Sequence, residues 1–178
     1  MADESFNDLK KHSAQPGRVE WIGLCTSRRG AVRSVDSVMA REGTGLDGDH
    51  HAANGSSKRQ VTLIQAEHLP VVASLTGRES VTPDELRRNV LVSAINLLSL
   101  KDQKFRIGAA LLQGTGPCVP CSRMEEVLGN GGYNAMRGHG GICAQVLEAG
   151  TVSVGDAVTM VIDETTEADD VSGQGTLF

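Results

Sequence analysis

The chain has 178 residues, a formal charge of -5 from 17 Lys and Arg against 22 Asp and Glu, 39% hydrophobic residues and 3% aromatics. That length suits one domain with a real core, and the negative charge and scarce aromatics argue against phosphate-backbone binding or base stacking, so nucleic acid is not an expected partner. No run of about twenty apolar residues is present, no signal-peptide core opens the chain, and 4 cysteines are too few for a secreted disulfide framework. No membrane is therefore expected, and the cytoplasm is the expected compartment. The Asn54-Gly-Ser56 sequon then reads only as a turn.

Residues 1–16 read as a disordered tail ended by Pro16-Gly17. Arg18–Thr26 is a first strand, Arg28-Arg29-Gly30 a turn and Val32–Val38 a second strand. Residues 41–58 are rich in Gly, Asp, Asn and Ser and read as a long polar loop, a feature that in compact domains is either functional or disordered. Arg59–Ile64 resumes a strand and Ala66–Leu75 suits a short helix. Thr82-Pro83-Asp84-Glu85 has the cap, proline and acids of a helix start. That helix gives way near Asn89 to a strand at Val90–Val92, and Phe105–Leu112 is another strand, leading into a Gly114–Pro120 loop. Cys121–Leu128 is a helix, closed by Gly129–Gly132, and Ile142–Glu148 and Ala157–Ile162 are closing strands. From Asp163 the chain is acidic and Gly/Ser/Thr-rich, so 163–178 reads as a disordered acidic tail. Short apolar segments punctuated by 21 glycines imply a mainly β fold of one domain, residues 17–162.

Gly43-Thr-Gly-Leu-Asp-Gly48 has the spacing of a dinucleotide fingerprint, but no helix-forming segment follows it, so it carries no Rossmann reading. Asp47, Asp49, His50 and His51 offer ligands for a divalent metal or serve as turn caps in a polar loop. Cys118-Val-Pro-Cys121, in a Gly/Pro-rich loop with Arg123 nearby, is where metal or sulfur chemistry is best placed, because the thiolate is the reactive form of cysteine. Taken with His139 and Cys143, these cysteines have the type and count of a closed zinc site, which makes a zinc-stabilised module the alternative function. A thioredoxin-type redox couple is disfavoured by the Gly-Pro that precedes the motif.

Six segments occur in one order: Gly45-Leu-Asp-Gly-Asp-His50, Arg59-Gln-Val-Thr-Leu-Ile-Gln65, Leu86-Arg-Arg-Asn-Val-Leu-Val92, Phe105-Arg-Ile-Gly108, Pro120-Cys121 and Gly155-Asp156. The ordered set resembles the MOSC domain, the C-terminal domain of molybdenum cofactor sulfurases, in its small stand-alone bacterial form. The resemblance spans about Gly17 to Ile162. It implies a largely antiparallel β-barrel with a few flanking short helices, and binding of the molybdenum cofactor (molybdopterin).

By this resemblance Cys121 ligates molybdenum or carries sulfur as a persulfide, being both the catalytic residue and the metal ligand. Molybdenum favours thiolate, and a pterin phosphate needs guanidinium and backbone N–H donors. Arg59 and Arg87 (or its neighbour Arg88), Asn89, Asp49 and His50, and Arg137 beside the Gly138–Gly141 run are the candidate cofactor-binding residues. Two roles stay open for Cys118, a second thiol for persulfide exchange or a buried apolar residue. The implied activity is sulfur transfer to the molybdenum cofactor, or reduction of N-hydroxylated compounds. A pyridoxal-phosphate-dependent cysteine desulfurase or a molybdoenzyme is the implied protein partner. The cofactor-dependent reductases carry a larger N-terminal domain, and its absence from this sequence makes a cofactor-delivery module a further alternative.

Overall fold

Strand β1 (Gly17–Leu24) shows how the sheet closes. In the computed structural model, which describes residues 6–10, 12–54 and 57–162, its side chains alternate between core and solvent from Gly17 to Glu20. The register then slips between Val19 and Trp21, a bulge that bends the strand. The bend lets one strand serve several neighbours. Its first residues pair with β11 (Ala157–Met160), its middle with β6 (Val90–Ser93) and its end with β2 (Arg33–Val35).

From β11 the order runs through β7 (Lys104–Ile107), β8 (Ala110–Pro117), β9 (Ile142–Glu148), β5 (Val61–Gln65) and β6 back to β1. These seven strands form a closed barrel, antiparallel except for the β5–β6 pair. A small second sheet joins β3 (Ser37–Arg41), β4 (Gly45–Leu46) and β10 (Gly150–Ser153). Helix α1 (Phe6–Leu9) precedes the barrel, and α2 (His68–Leu75), α3 (Ser122–Leu128) and α4 (Gly132–Met136) flank it. No helix among the described residues is long and apolar enough to cross a membrane.

Two apolar layers hold this arrangement. Val19, Ile22, Leu63, Val90, Val92, Phe105, Leu112 and Val146 fill the barrel. Each such fully buried side chain contributes about 1.5–3 kcal/mol relative to exposure. Ile64 points the other way, into a second cluster with Val72, Leu86, Met124, Leu128 and Met136. Strand β5 is therefore apolar on both faces, one toward the barrel and one toward the helices.

Four local expectations are corrected. Val32–Val38 is not one strand: β2 ends at Val35, Asp36 breaks the pairing, and β3 starts at Ser37 in the other sheet. Phe105–Leu112 is a hairpin of β7 and β8, because Gly108 takes φ +53 and Ile107 pairs with Ala110. Thr82–Glu85 starts a single turn rather than a helix. The Glu85 carboxylate accepts from the Thr82 amide and hydroxyl at 2.9 and 3.1 Å, but Arg87 at φ +57 ends the turn at once. Residues 41–58 contain β4 and a 3-10 turn at His50–Asn54, with Leu46 and Asp49 buried. Strand β10 and helix α4 were not expected. The expectation of a disordered tail at 163–178 falls outside the described residues, as does part of that for 1–16, within which α1 is described.

Gly141 sits where β9 starts, at φ +81, and a methyl there would overlap the Leu63 carbonyl of β5. Gly138 has a similar φ of +80 but open space around the same position. Gly138→Ala should therefore lose about 1 kcal/mol, the left-handed cost alone, and Gly141→Ala about 3 kcal/mol or more. Denaturant unfolding of the two variants tests this. Equal losses would show that the β5–β9 contact yields freely.

Candidate functional site

The side chains that could do chemistry meet where β1 ends, β6 begins and α3 starts. Asn89, directly before β6, is 4% exposed. Its Oδ1 accepts from the Thr62 amide (3.0 Å) and hydroxyl (2.9 Å), and its Nδ2 donates to Gly23 O (3.2 Å) and Asp49 Oδ2 (2.9 Å). One side chain thus ties β5 to the end of β1 and to the 3-10 turn. Asp49, 5% exposed, also accepts from the Cys25 amide at 2.9 Å and from the amide and Nδ1 of His51 at 3.0 and 2.8 Å. Burial pushes its carboxyl up, but these hydrogen bonds together outweigh burial and hold it below the usual carboxylate range. His50 Nδ1 lies 3.0 Å from Cys25 O, and the two imidazoles are 4.0 Å apart.

Around this anchor opens a cleft of about 360 Å³ lined by Arg28, Arg29, Arg59, Arg87, Arg88 and Arg123, against the carboxylates Asp49 and Glu126. A chain of net charge -5 has gathered guanidinium groups at one place. Arg88 is the buried member, 4% exposed. Its Nε donates to Gly140 O at 2.8 Å and its Nη1 to Leu86 O at 2.7 Å, while Nη2 is buried without a partner. Arg123 Nε is likewise buried and unpartnered. Burial pulls the Arg88 guanidinium down from its ordinary value, and the Cys118, Cys143 and Cys121 sulfurs oppose it. Such orphaned donors are rare in folded proteins, and each retains the capacity to bond an acceptor.

The cleft brings together Asp49, His50, Arg59, Arg87, Asn89 and Cys121 of the expected set. Cys121 is exposed, caps the first turn of α3 in an extended conformation, and its thiol makes no capping bond. Arg137 is not among the lining residues and is exposed after α4. Arg87 is occupied locally, donating to Gly30 O (2.7 Å), Arg28 O (3.0 Å) and Cys25 Sγ (3.0 Å), so it shapes the Arg28–Gly30 rim. The neighbour with a free donor is Arg88. Period 2 extended back from Val92 and Val90 would have turned Arg88 inward. His51 and Cys25 also line the cleft; the sequence offered His51 only as a metal ligand or turn residue beside Asp47, Asp49 and His50, and nothing local distinguishes Cys25.

The zinc alternative is corrected by geometry. Among the described residues, Asp49, His50 and His51 are the group of three or more such side chains with ligand atoms within 4.8 Å of one another. Cys118, Cys121, His139 and Cys143 do not form one, and His139 instead packs edge-on against His68 at 5.0 Å. Cys118 and Cys143 do meet. The neighbouring Cys143 thiol, against burial but with Arg88, Arg59 and His51, holds Cys118 well below the ordinary thiol range.

A depressed folded-state carboxyl contributes stability above its unfolded value, near 4, and loses it as pH falls through the folded value. Asp49→Asn should therefore be about 1–3 kcal/mol less stable than the parent at pH 7, with the gap narrowing below about pH 4. Urea unfolding across pH 2.5–7 reads this directly. A pH-independent gap would assign Asp49's contribution to shape rather than charge.

The barrel is that of known proteins. It matches the YuaD protein of Bacillus subtilis with a TM-score of 0.71 at 22% identity over 81% of this chain and 94% of the other. It matches YiiM of Escherichia coli (TM-score 0.64, 21% identity, 84% and 72% covered) and YiiM of Geobacillus stearothermophilus (0.66, 18%, 83% and 76%). These identities show the shared fold. No curated protein sequence matches the chain significantly. The profile of the MOSC domain matches residues 47–159, which include every one of these cleft residues except Gly23, Cys25 and the Arg28–Val32 rim. The chain belongs to the MOSC domain family.

Proposed function

We propose that this chain binds the molybdenum cofactor in the arginine-lined cleft, with Cys121 as its sulfur ligand, and supports reduction of N-hydroxylated compounds there. The observation that carries the reading is the pairing of an uncommitted thiol with two buried guanidinium nitrogens that have no partner. That donor set fits a group with a thiolate-seeking metal at one end and a phosphate at the other. A volume of about 360 Å³ falls in the size class of small-molecule sites, about 300–1,000 Å³. MOSC membership supports the choice of cofactor.

When bound, the cofactor supplies a metal able to exchange electron pairs and oxo or sulfido groups. The protein's part is binding and proton handling. Arg59 and Arg88 would neutralise the phosphate, Arg88 from a fixed position because two of its nitrogens are already held by carbonyls. Asp49 accepts from His51 Nδ1 and so orients the ring, and Nε2, once the ring has taken up a proton from solvent, would pass that proton to a departing hydroxyl. Asn89 fixes Asp49 and so the whole dyad. Cytoplasmic residence is part of this reading, since the cofactor is a reduced dithiolene.

A second reading, sulfur transfer, is favoured by the exposure of Cys121. An exposed, uncommitted thiol can receive sulfur from a pyridoxal-phosphate-dependent cysteine desulfurase and pass it to a cofactor or a molybdoenzyme.

Purification from a host that makes the cofactor should yield molybdenum and pterin together, measured by elemental mass spectrometry and pterin fluorescence. Cys121→Ser should lower retained molybdenum at least tenfold with the fold intact, and Arg59→Ala should lower retained pterin. Molybdenum no higher than in a host unable to make the cofactor would overturn the reading. Persulfide on Cys121 after incubation with a cysteine desulfurase and cysteine, without turnover of an N-hydroxylated base, would select sulfur transfer.

A further inference from the structure

Cys118 and Cys143 play no part in that reading, yet they are placed for chemistry of their own. They are 2% and 9% exposed, and both are free thiols. The β8–β9 ladder pairs Gly116 with Cys143 and Pro117 with Ile142, and the Cys118 amide donates to Gly141 O at 2.8 Å. The two side chains are thus diagonal neighbours on one face, two residues apart in register.

Arg88 lies beside them. Its Nε bonds Gly140 O, a position flanked by the Cys118 carbonyl and by Arg88 Nη2 itself. Among the described residues no carboxylate pairs with this buried cation, and the Cys118 sulfur is the foremost group opposing the effect of its burial. An uncompensated buried charge would cost several kcal/mol, so the sulfur facing Arg88 is held as thiolate. A thiolate in contact with a thiol is the reactive state of a dithiol pair.

We propose that Cys118 and Cys143 form a redox-active dithiol behind the cleft wall, closing to an intramolecular disulfide on two-electron oxidation by a small hydroperoxide. The Cys118 thiolate attacks one peroxide oxygen and the O–O bond breaks. Cys118 becomes a sulfenic acid, and the departing oxygen takes a proton and leaves as alcohol or water. The unpartnered Nη2–H of Arg88 is available to that oxygen as a donor. Cys143 then gives up its proton, and its sulfur displaces hydroxide from Cys118 to form the S–S bond and water. In total, two thiols and one hydroperoxide become one disulfide, one alcohol or water, and one further water. Access is from the rim, where Val119, 71% exposed, and Cys121 flank the site. Closure requires a small backbone shift, and the chain has room for one here: the register slips between Gly114 and Gly116, Gly116 itself faces Cys143, and Cys118 lies opposite Gly141. The inference is independent of any cofactor.

The test uses the full chain carrying Cys121→Ser, so that the exposed thiol does not compete, alongside the parent chain. Each is treated with hydrogen peroxide, denatured in N-ethylmaleimide and digested with trypsin. The expected product joins peptide 107–123 to peptide 138–178, lighter than their sum by two hydrogens and parted by dithiothreitol. Adding Cys143→Ser should abolish the link and leave Cys118 as a sulfenic acid trapped by dimedone. Two results would overturn the proposal in either chain. One is full labelling of both thiols at a peroxide dose that consumes Cys121 in the parent. The other is oxidation of Cys118 to sulfinic acid, or linkage to Cys121 or to a second chain, with Cys143 still reduced.

Discussion

The Asn89 side chain is the contact on which the site depends. Strands β5 and β6 run parallel, so the polypeptide leaves β5, crosses α2 and re-enters beside it, and nothing local fixes where the return begins. Asn89 fixes it. With both Oδ1 lone pairs on Thr62 and both Nδ2 hydrogens on Gly23 and Asp49, its amide is fully used inside the protein. A slip of one residue would leave several buried groups unpaired at about 1–3 kcal/mol each. The register that places Val90 and Val92 in the barrel is thereby coupled to the position of the Asp49–His51 pair at the cleft.

Charge follows from the same geometry. Arg87 and Arg88 are adjacent, yet they do opposite things because Arg87 takes φ +57 at the end of the Thr82 turn. The reversal sends Arg87 outward to the Arg28–Gly30 carbonyls and Arg88 inward beneath Gly140. Two bonds to carbonyl oxygens hold the Arg88 plane but do not neutralise its charge. Sulfur does so from one side, and an anionic ligand in the cleft would do so from the other. Arg88 is therefore the physical link between the thiols behind the wall and whatever the cleft binds.

The glycine run at Gly138–Gly141 has an architectural role. In sequence it suited equally a backbone anion cradle beside Arg137 and a tight hairpin before the last strands. In the fold its carbonyls hold Arg88 and the Cys118 amide, and Gly141 lets β9 approach β5 without a side chain between them. The run thus acts on the cleft through Arg88, while Arg137 stays outside.

Much of the fold was legible because its signals are local. Alternation in β1, the doubly apolar run of β5 and the cysteine at the start of α3 are patterns of a few residues that state which face is buried. Motif order carried the family, and with it the barrel. Shorter decisions were not legible. The break between β2 and β3 and the hairpin at Gly108 depend on which neighbour each half meets across the sheet. The site divided in the same way. Cys121, Asp49, His50, Arg59 and Asn89 could be named from the chain, since reactive or polar residues at element boundaries are visible there. That Arg88 rather than Arg87 offers the free donor, that His51 is the imidazole bonded to Asp49, and that Cys118 meets Cys143 rather than completing a zinc site were decided by tertiary structure alone. The physical reason is that each depends on a contact between strands or turns far apart in sequence, where burial and a single backbone reversal determine which polar groups are satisfied and which are left free to act.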